Sequence, residues 1–389
     1  MHIAYTEEQR ALQDTVRALL QELITDDVRA ELAVQEGGGP LYHRVMGQLA
    51  AGGWLGVGWP TEYGGQARTA IEEFIFFDEV HRSGFPIPLL TLNTVGPTLI
   101  KFGSDAQKAD LLPRILAGKV HFSIGYSEPG AGTDLASLTT VAVRDGDEYV
   151  IDGSKIWISL ADFADYLWLA CKTDPDARHK GISVVMVPMD AQGVSTTPIA
   201  NLGDSNIHAV YLDNVRVPVS NRVGPENGGW KMITSQLNHE RVALMMVGPL
   251  ARLSADVLEW ARTTPDGDGV LLDRPWVRRS LAKVDAELEV LRLMNWRQAW
   301  TMTHSRLTMQ EASAIKVYGS EMYVRTYRSL LEILGVPGLV QGGSAGAVLR
   351  GELERHYRAT LVLTFGGGVN EVQRDLIAVA GLGLPRGGR

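Results

Sequence analysis

The sequence holds a single cysteine, Cys171, which excludes an internal disulfide and any metal site built from several cysteines. That residue ends the apolar run Tyr166-Leu-Trp-Leu-Ala-Cys171, where a buried strand position is expected rather than a nucleophile. No stretch reaches the ~20 apolar residues of a membrane span, because Gly, Pro or charge interrupts the longest apolar runs. The opening residues, Met1-His-Ile-Ala-Tyr-Thr-Glu-Glu, lack a basic segment leading into an apolar core, so no secretory signal is expected and the chain reads as soluble and cytoplasmic. An excess of positive charge is missing too. Lys and Arg number 37 against 45 Asp and Glu, for a net charge of −8, which argues against a nucleic-acid partner. A phosphate-bearing ligand stays open, since it needs only a local cluster of donors. The glycine fingerprint G-x-G-x-x-G at the start of a βαβ unit is also absent, so any dinucleotide must be held in another way.

What is present is ordinary globular composition, 45% hydrophobic and 21% charged over 389 residues, enough for two or three packed domains. From Thr6 to about Gly118 the pattern is helical. Thr6 with Gln9 forms a capping box before Leu12, Val16, Leu19 and Leu23, and Ser104 with Gln107 repeats it before Leu111, Leu112, Ile115 and Leu116. Trp59-Pro-Thr-Glu-Tyr-Gly-Gly65 between them reads as a loop. From His121 to about Gly224 the pattern becomes β. Val141, Val143, Tyr149 and Ile151 alternate with polar residues around the turn signal Asp145-Gly146, and strand-like runs follow at 166–173, 182–188 and 209–218. These imply a small antiparallel barrel or sandwich. From Gly228 onward helices return, with Leu281, Val284, Leu288 and Leu291 on one stripe and Ile315, Met322 and Leu330 on another, the pattern of a four-helix bundle. Pro265–Gly269 and Gly335–Gly346 read as flexible connectors, and a last helix starts near Asn370. The expected fold class is therefore α+β and multidomain, with helices over 1–120, a middle β domain over 121–225 and a C-terminal helical bundle over 226–389.

Four segments carry a resemblance. Gly125-Tyr-Ser-Glu-Pro-Gly-Ala-Gly-Thr-Asp134, Gly153-Ser-Lys-Ile-Trp-Ile-Ser159, Leu212-Asp-Asn-Val-Arg-Val-Pro218 and Asn370-Glu-Val-Gln-Arg374 resemble, in order and spacing, the motifs of the acyl-CoA dehydrogenases. The resemblance covers essentially the whole chain. It implies FAD as cofactor and removal of two hydrogens from the α and β carbons of an acyl-CoA thioester, a base taking the α-proton while hydride passes to flavin N5. It also implies that the backbone of Tyr126, Ser127 and Glu128 and the Ser127 hydroxyl bond the pyrimidine edge of the flavin, that Trp157 packs on the ring and that Ser159 bonds near N5. Taken alone, the Trp157 segment reads as a turn with a buried core tryptophan. Thr133 is implied on the CoA side, with a turn-capping role for Thr133 or Asp134 as the local alternative. Gly366-Gly-Gly368, with Glu371 beyond it, is implied to serve FAD by close backbone approach, Gly367 and Gly368 leaving the room. No metal is implied.

Many members of the family carry the catalytic glutamate where this chain has Gly367. Members for branched and long-chain substrates carry it on an early helix of the C-terminal domain, directly before an arginine. Leu237-Asn-His-Glu-Arg241 fits that second arrangement, so the resemblance implies Glu240 as base and Arg241 as its orienting neighbour. Read alone, Glu240-Arg241 is a solvated helical charge pair. A small residue at Gly367 then leaves space for a bulky or branched acyl chain. The family's arginine and Phe-Gly pair between the first two C-terminal helices are expected where the chain reads Ala261-Arg-Thr-Thr-Pro-Asp-Gly-Asp-Gly-Val270, without Phe-Gly. That departure resembles actinobacterial relatives for bulky and steroid thioesters, some of which are heterotetramers of two dehydrogenase-like chains. The implied assemblies are thus a homotetramer or such a heterotetramer, and the implied electron acceptor is electron-transferring flavoprotein. A non-catalytic or partner-dependent subunit, and an oxidase acting on a related CoA or carrier-bound thioester, are alternative readings of the same residues.

Overall fold

The computed structural model describes residues 4–35, 37–243, 245–305 and 307–385, with the side chains of 34 and 237–243 outside that description. Its first part is helical: α1 (Glu7–Leu23), α2 (Asp26–Val34), α3 (Pro40–Ala51), α4 (Ala70–Ser83), α5 (Gly96–Phe102) and α6 (Asp105–Leu116). The capping boxes form as the residue types dictate. Thr6 accepts from the Gln9 amide at 3.2 Å while Gln9 returns the bond at 3.1 Å, and Ser104 with Gln107 does the same before α6. Leu12, Val16, Leu20 and Leu23 bury one face of α1. In the loop after α3, Trp59 packs against the first turn of α5. A Cβ at Gly96 would fall 1.9 Å from its ring, so only glycine leaves room there. The indole donates to the Leu92 carbonyl at 3.1 Å, inside a π-turn over Thr91–Val95 that runs into α5.

The middle part is one sheet of β1 (Phe122–Gly125), β2 (Val141–Asp145), β3 (Glu148–Ser159), β4 (Tyr166–Lys172), β5 (Ile182–Pro188), β6 (Val194–Pro198), β7 (Ile207–Pro218) and β8 (Arg222–Val223). Its order is β6-β7-β3-β2-β4-β5-β8, with β1 added beside β4. Pairing is antiparallel except that β1, and β2 at Val141, run parallel to β4. Side-chain alternation is the same for either direction, which is why the sequence pattern did not separate them. β4 and β5 are buried on both faces, hence their unbroken apolar runs. Cys171 is fully buried there and its thiol is pushed up to about 12 by desolvation.

The chain then returns to helices: α7 (Gly229–Ala243), α8 (Gly248–Thr263), α9 (Pro275–His304), α10 (Met309–Leu334), α11 (Glu352–Thr360) and α12 (Asn370–Leu376). Val284, Leu288 and Leu291 of α9 meet Ile315, Met322 and Leu330 of α10 in one core. The expected flexible connector at 265–269 is instead a two-stranded hairpin, Pro265–Asp266 against Gly269–Val270, with Arg274 bonded to Asp266 at 2.9 Å. Gly267 at φ +62 makes the tight turn that lets those strands pair. Likewise the stretch 335–346 is not wholly irregular, since Val336–Leu339 winds into a 3-10 turn. A second core joins the helices of the first part to Trp168 and Met186 of the sheet, Met232 of α7 and Ala299 of α9, so α7 is wedged between sheet and helices. Among the described residues no helix is long and apolar enough to cross a membrane.

Candidate active site

Two segments far apart in sequence are bonded side by side. At the end of β1 the chain turns through Tyr126, Ser127 and Glu128 and lies along β3. The Ile156 amide donates to the Ser127 carbonyl at 3.0 Å, and Ser123 Oγ donates to the Ser159 carbonyl at 2.8 Å. Lys155 reaches from β3 to the Tyr126 carbonyl at 3.1 Å and to Glu128 at 2.8 Å.

β3 is irregular at this point, its register against β7 shifting between Lys155 and Ile158. Trp157 occupies the bulge with φ +64 and is 59% exposed. A left-handed backbone is unfavourable for any residue with a Cβ, and a large exposed indole loses the stabilisation of burial. The core-tryptophan alternative is thereby excluded. Bulges re-aim side chains, and this one turns a flat aromatic surface outward beside the 126–128 turn. Ser159 is exposed two residues on, and Ser127 is half-buried.

The Glu128 side chain is bonded within the protein. Its carboxylate accepts from Lys155, from the Thr139 amide and hydroxyl at 2.7 Å each and from the Thr140 amide at 2.9 Å. Its backbone closes a turn with Ala131 at 2.9 and 3.1 Å. Burial pushes this carboxyl up, but Lys155 and the threonine donors outweigh it and hold the group down to about 2. Burial likewise lowers the pKa of Lys155, against the pull of Glu128. Glu128 is thus engaged within the protein and fixes the turn that presents Tyr126 and Ser127.

Tyr126 is buried and its hydroxyl donates to Gln236 of α7, which in turn donates to Thr98 of α5 at 2.9 Å. This chain of bonds holds α7 against the turn. Glu240 lies about one helical turn beyond Gln236 in the same helix; the side chains of Glu240 and Arg241 are outside the described residues.

The remaining expected positions lie elsewhere. Thr133 is on an exposed loop whose neighbour Asp134 pairs with Arg178 at 3.0 Å. Gly367 and Gly368 take φ +65 and +105, conformations that favour glycine. The turn they form is tied to α10, because Asn370 accepts from Lys316 at 2.7 Å and donates to Ser320 at 3.0 Å. Glu371 is exposed beside it. Sequence reading passed over Lys155, Thr139, Thr140 and Gln236. Lys155 carried a signal, a charge at an inward position of an alternating strand.

An outward-turned tryptophan, a braced turn at the end of β1, and a glycine turn on the last helix sit within a fold of helices, sheet and helices. The chain belongs to the acyl-CoA dehydrogenase family of oxidoreductases: the family's N-terminal domain matches residues 6–119, its middle domain 123–215 and its C-terminal domain 227–382. It is 48% identical over 400 residues to acyl-CoA dehydrogenase FadE26 of Mycobacterium tuberculosis, covering 100% of each chain. In structure it is similar to a chain of the ChsE4-ChsE5 complex from Mycobacterium tuberculosis, with a TM-score of 0.94, 49% identity and 100% of each chain covered. A chain of the Tcur3481-Tcur3483 steroid ACAD is similar at a TM-score of 0.94 and 51% identity, again over 100% of both.

Proposed function

We propose that this protein is an FAD-dependent acyl-CoA dehydrogenase for a bulky or branched acyl thioester, with Glu240 as the base. The observation that carries the reading is Trp157, held outward at a strained bulge beside the braced 126–128 turn. An exposed indole fits the face of a planar ring system, and the Ser127 and Ser159 hydroxyls fit its polar edge. Gly367 and Gly368 suit close backbone approach to a cofactor. FAD, when bound, supplies the acceptor for the hydride leaving the β-carbon.

The chain's own residues do the rest. Glu240 takes the α-proton, and exclusion of water by substrate raises its affinity for that proton. Arg241 orients the site. Gly367 carries no carboxylate, which leaves the base to the α7 side and space to the acyl chain. Thr133 stands on the CoA side. The bulky-substrate reading is supported by similarity to a steroid ACAD. Similarity to a two-chain complex supports assembly as a heterotetramer, with a homotetramer as the alternative. Arg262, in the stretch that lacks the Phe-Gly pair, sits on the surface 3.7 Å from Glu259. Electron-transferring flavoprotein is the proposed electron acceptor.

The test is an anaerobic absorbance titration of the purified protein with acyl-CoAs, from short straight chains to branched and ring-bearing ones. A flavin band that bleaches with the bulky class supports the reading, and Glu240→Gln is expected to bleach at least ~100-fold more slowly. Bleaching by short straight chains alone refutes the substrate class. An unimpaired Glu240→Gln variant refutes the base. A colourless protein that takes up FAD only with a second chain establishes the partner-dependent form, and rapid reoxidation by air with product bound marks an oxidase.

A further inference from the structure

The link from α7 to α8 is held from three sides. Met245, Met246, Val247 and Gly248 are all buried, and three other helices reach this one stretch of backbone. Asn295 of α9 donates its amide nitrogen to the Met245 carbonyl at 2.7 Å, and the Tyr323 hydroxyl of α10 donates to the Met246 carbonyl. One carboxylate oxygen of Asp78, on α4, accepts from the Val247 and Gly248 amides at 2.8 Å each. Local sequence does not provide this hold. Val247 stands at the N-cap of α8 without a capping side chain, which would leave buried amides at the helix start without acceptors. Asp78 supplies the acceptor from another helix, and its charge suits the positive end of α8. Glycine permits the close approach. A Cβ at Gly248 would fall 2.2 Å from the Asp78 carbonyl oxygen, and one at Gly319 of α10 would fall 2.8 Å from the Met245 side chain.

Position ties this hold to the proposed base. Glu240 stands in the chain between Gln236, whose amide group bonds Tyr126 and Thr98, and Met245, the first residue gripped beyond α7. The helix is therefore fixed on both sides of Glu240. A helix tied at one point pivots about it, whereas a second tie fixes where its side chains come to rest. Proton transfer is steep in distance, and a misplacement of about 1 Å can cost on the order of 100-fold in rate.

We propose that Asp78, Asn295 and Tyr323 are positioning residues for the reaction, fixing the end of α7 so that Glu240 meets the substrate α-carbon at reacting distance. The proposal rests on the reading of Glu240 as base and adds the residues that hold it.

The experiment uses the FAD-loaded protein in its native assembly and follows anaerobic flavin bleaching over a range of acyl-CoA concentrations. The maximal rate is expected to fall at least about tenfold in Asp78→Leu and about threefold in Tyr323→Phe. The half-saturating thioester concentration, and FAD affinity by fluorescence titration, should stay within about twofold, because neither ligand is bound by these residues. Asp78→Asn should restore most of the rate, since one amide oxygen can accept both backbone N–H groups. Hydrogen exchange read by mass spectrometry reports the same hold without turnover: the α7 amides should exchange about tenfold faster in Asp78→Leu and Tyr323→Phe, with the sheet unchanged. If Asp78→Leu folds poorly, Tyr323→Phe, which loses a single hydroxyl, decides alone. A maximal rate and α7 exchange equal to the parent's, or a loss of rate matched by loss of FAD affinity, overturns the proposal while leaving the dehydrogenase reading intact. Failure of every thioester to bleach the parent protein, or an unimpaired Glu240→Gln variant, overturns that reading instead.

Discussion

Replacing Lys155 by methionine tests the internal bracing of the candidate site. The ammonium is fully buried and bonds both Glu128, at 2.8 Å, and the Tyr126 carbonyl, at 3.1 Å. Methionine keeps the apolar stem but leaves the Glu128 carboxylate buried with the Thr139 and Thr140 donors alone. Breaking a buried pair on one side costs about 3–5 kcal/mol. The surviving donors, and the burial that already lowers the pKa of Lys155, place the expected loss near 3 kcal/mol. Linkage adds a pH dependence: Lys155 and the threonine donors together hold Glu128 down to about 2 from an ordinary 4.5. The sign follows from the depressed folded pKa: this stabilisation is complete above about pH 4.5 and disappears as pH falls toward 2. The opposite shift of Lys155 reduces the net worth of the pair, but with four hydrogen bonds to its carboxylate Glu128 governs the acid limb. Urea unfolding followed by tryptophan fluorescence measures the loss, and the flavin-to-protein absorbance ratio after gel filtration reads the looseness of the 126–128 turn. Lys155→Met/Glu128→Leu is expected to recover most of the loss, because an apolar pair needs no donors. A single variant within about 0.5 kcal/mol of the parent protein, with its flavin retained, would refute this account of the turn.

Trp157→Ala should leave stability within about 0.5 kcal/mol, since the side chain is exposed, while weakening FAD binding by roughly tenfold or more in a fluorescence titration. Unchanged FAD affinity would remove Trp157 from the site. Glu73→Gln should stabilise the protein above pH 7. The Glu73 carboxyl is raised from 4.5 to about 7, so the folded state binds the extra proton and stability falls as pH rises through that interval. The gain is about 1–3 kcal/mol, the upper figure applying only if the carboxyl stays shielded from solvent. Thermal melts at pH 5 and pH 8 check it, and an equal gain at both values contradicts the linkage.

What proved legible in the sequence was local. The capping boxes at Thr6 and Ser104 depend on residues three apart, and the strand runs at 166–172 and 182–188 depend on burial of consecutive side chains. The hairpin at 265–270 is not legible in the sequence, because Pro265-Asp-Gly-Asp-Gly269 reads equally well as slack chain. The partners of the Glu128 carboxylate are not legible in the sequence, because nothing within a few residues of it shows that Lys155, Thr139 and Thr140 bond it.

The sequence by itself determined the order of helices, sheet and helices, the buried state of Cys171, the absence of a carboxylate at Gly367 and the presence of one at Glu240. Periodicity, turn chemistry and residue type are properties of a short window of chain. Only the tertiary structure decided that Trp157 faces outward, that Glu128 turns inward, that Gln236 ties α7 to both the sheet and α5, and that Asp78, Asn295 and Tyr323 converge on residues 245–248. Each of these follows from contacts between segments distant in the chain, where register and packing choose among orientations that local pattern leaves equal in energy.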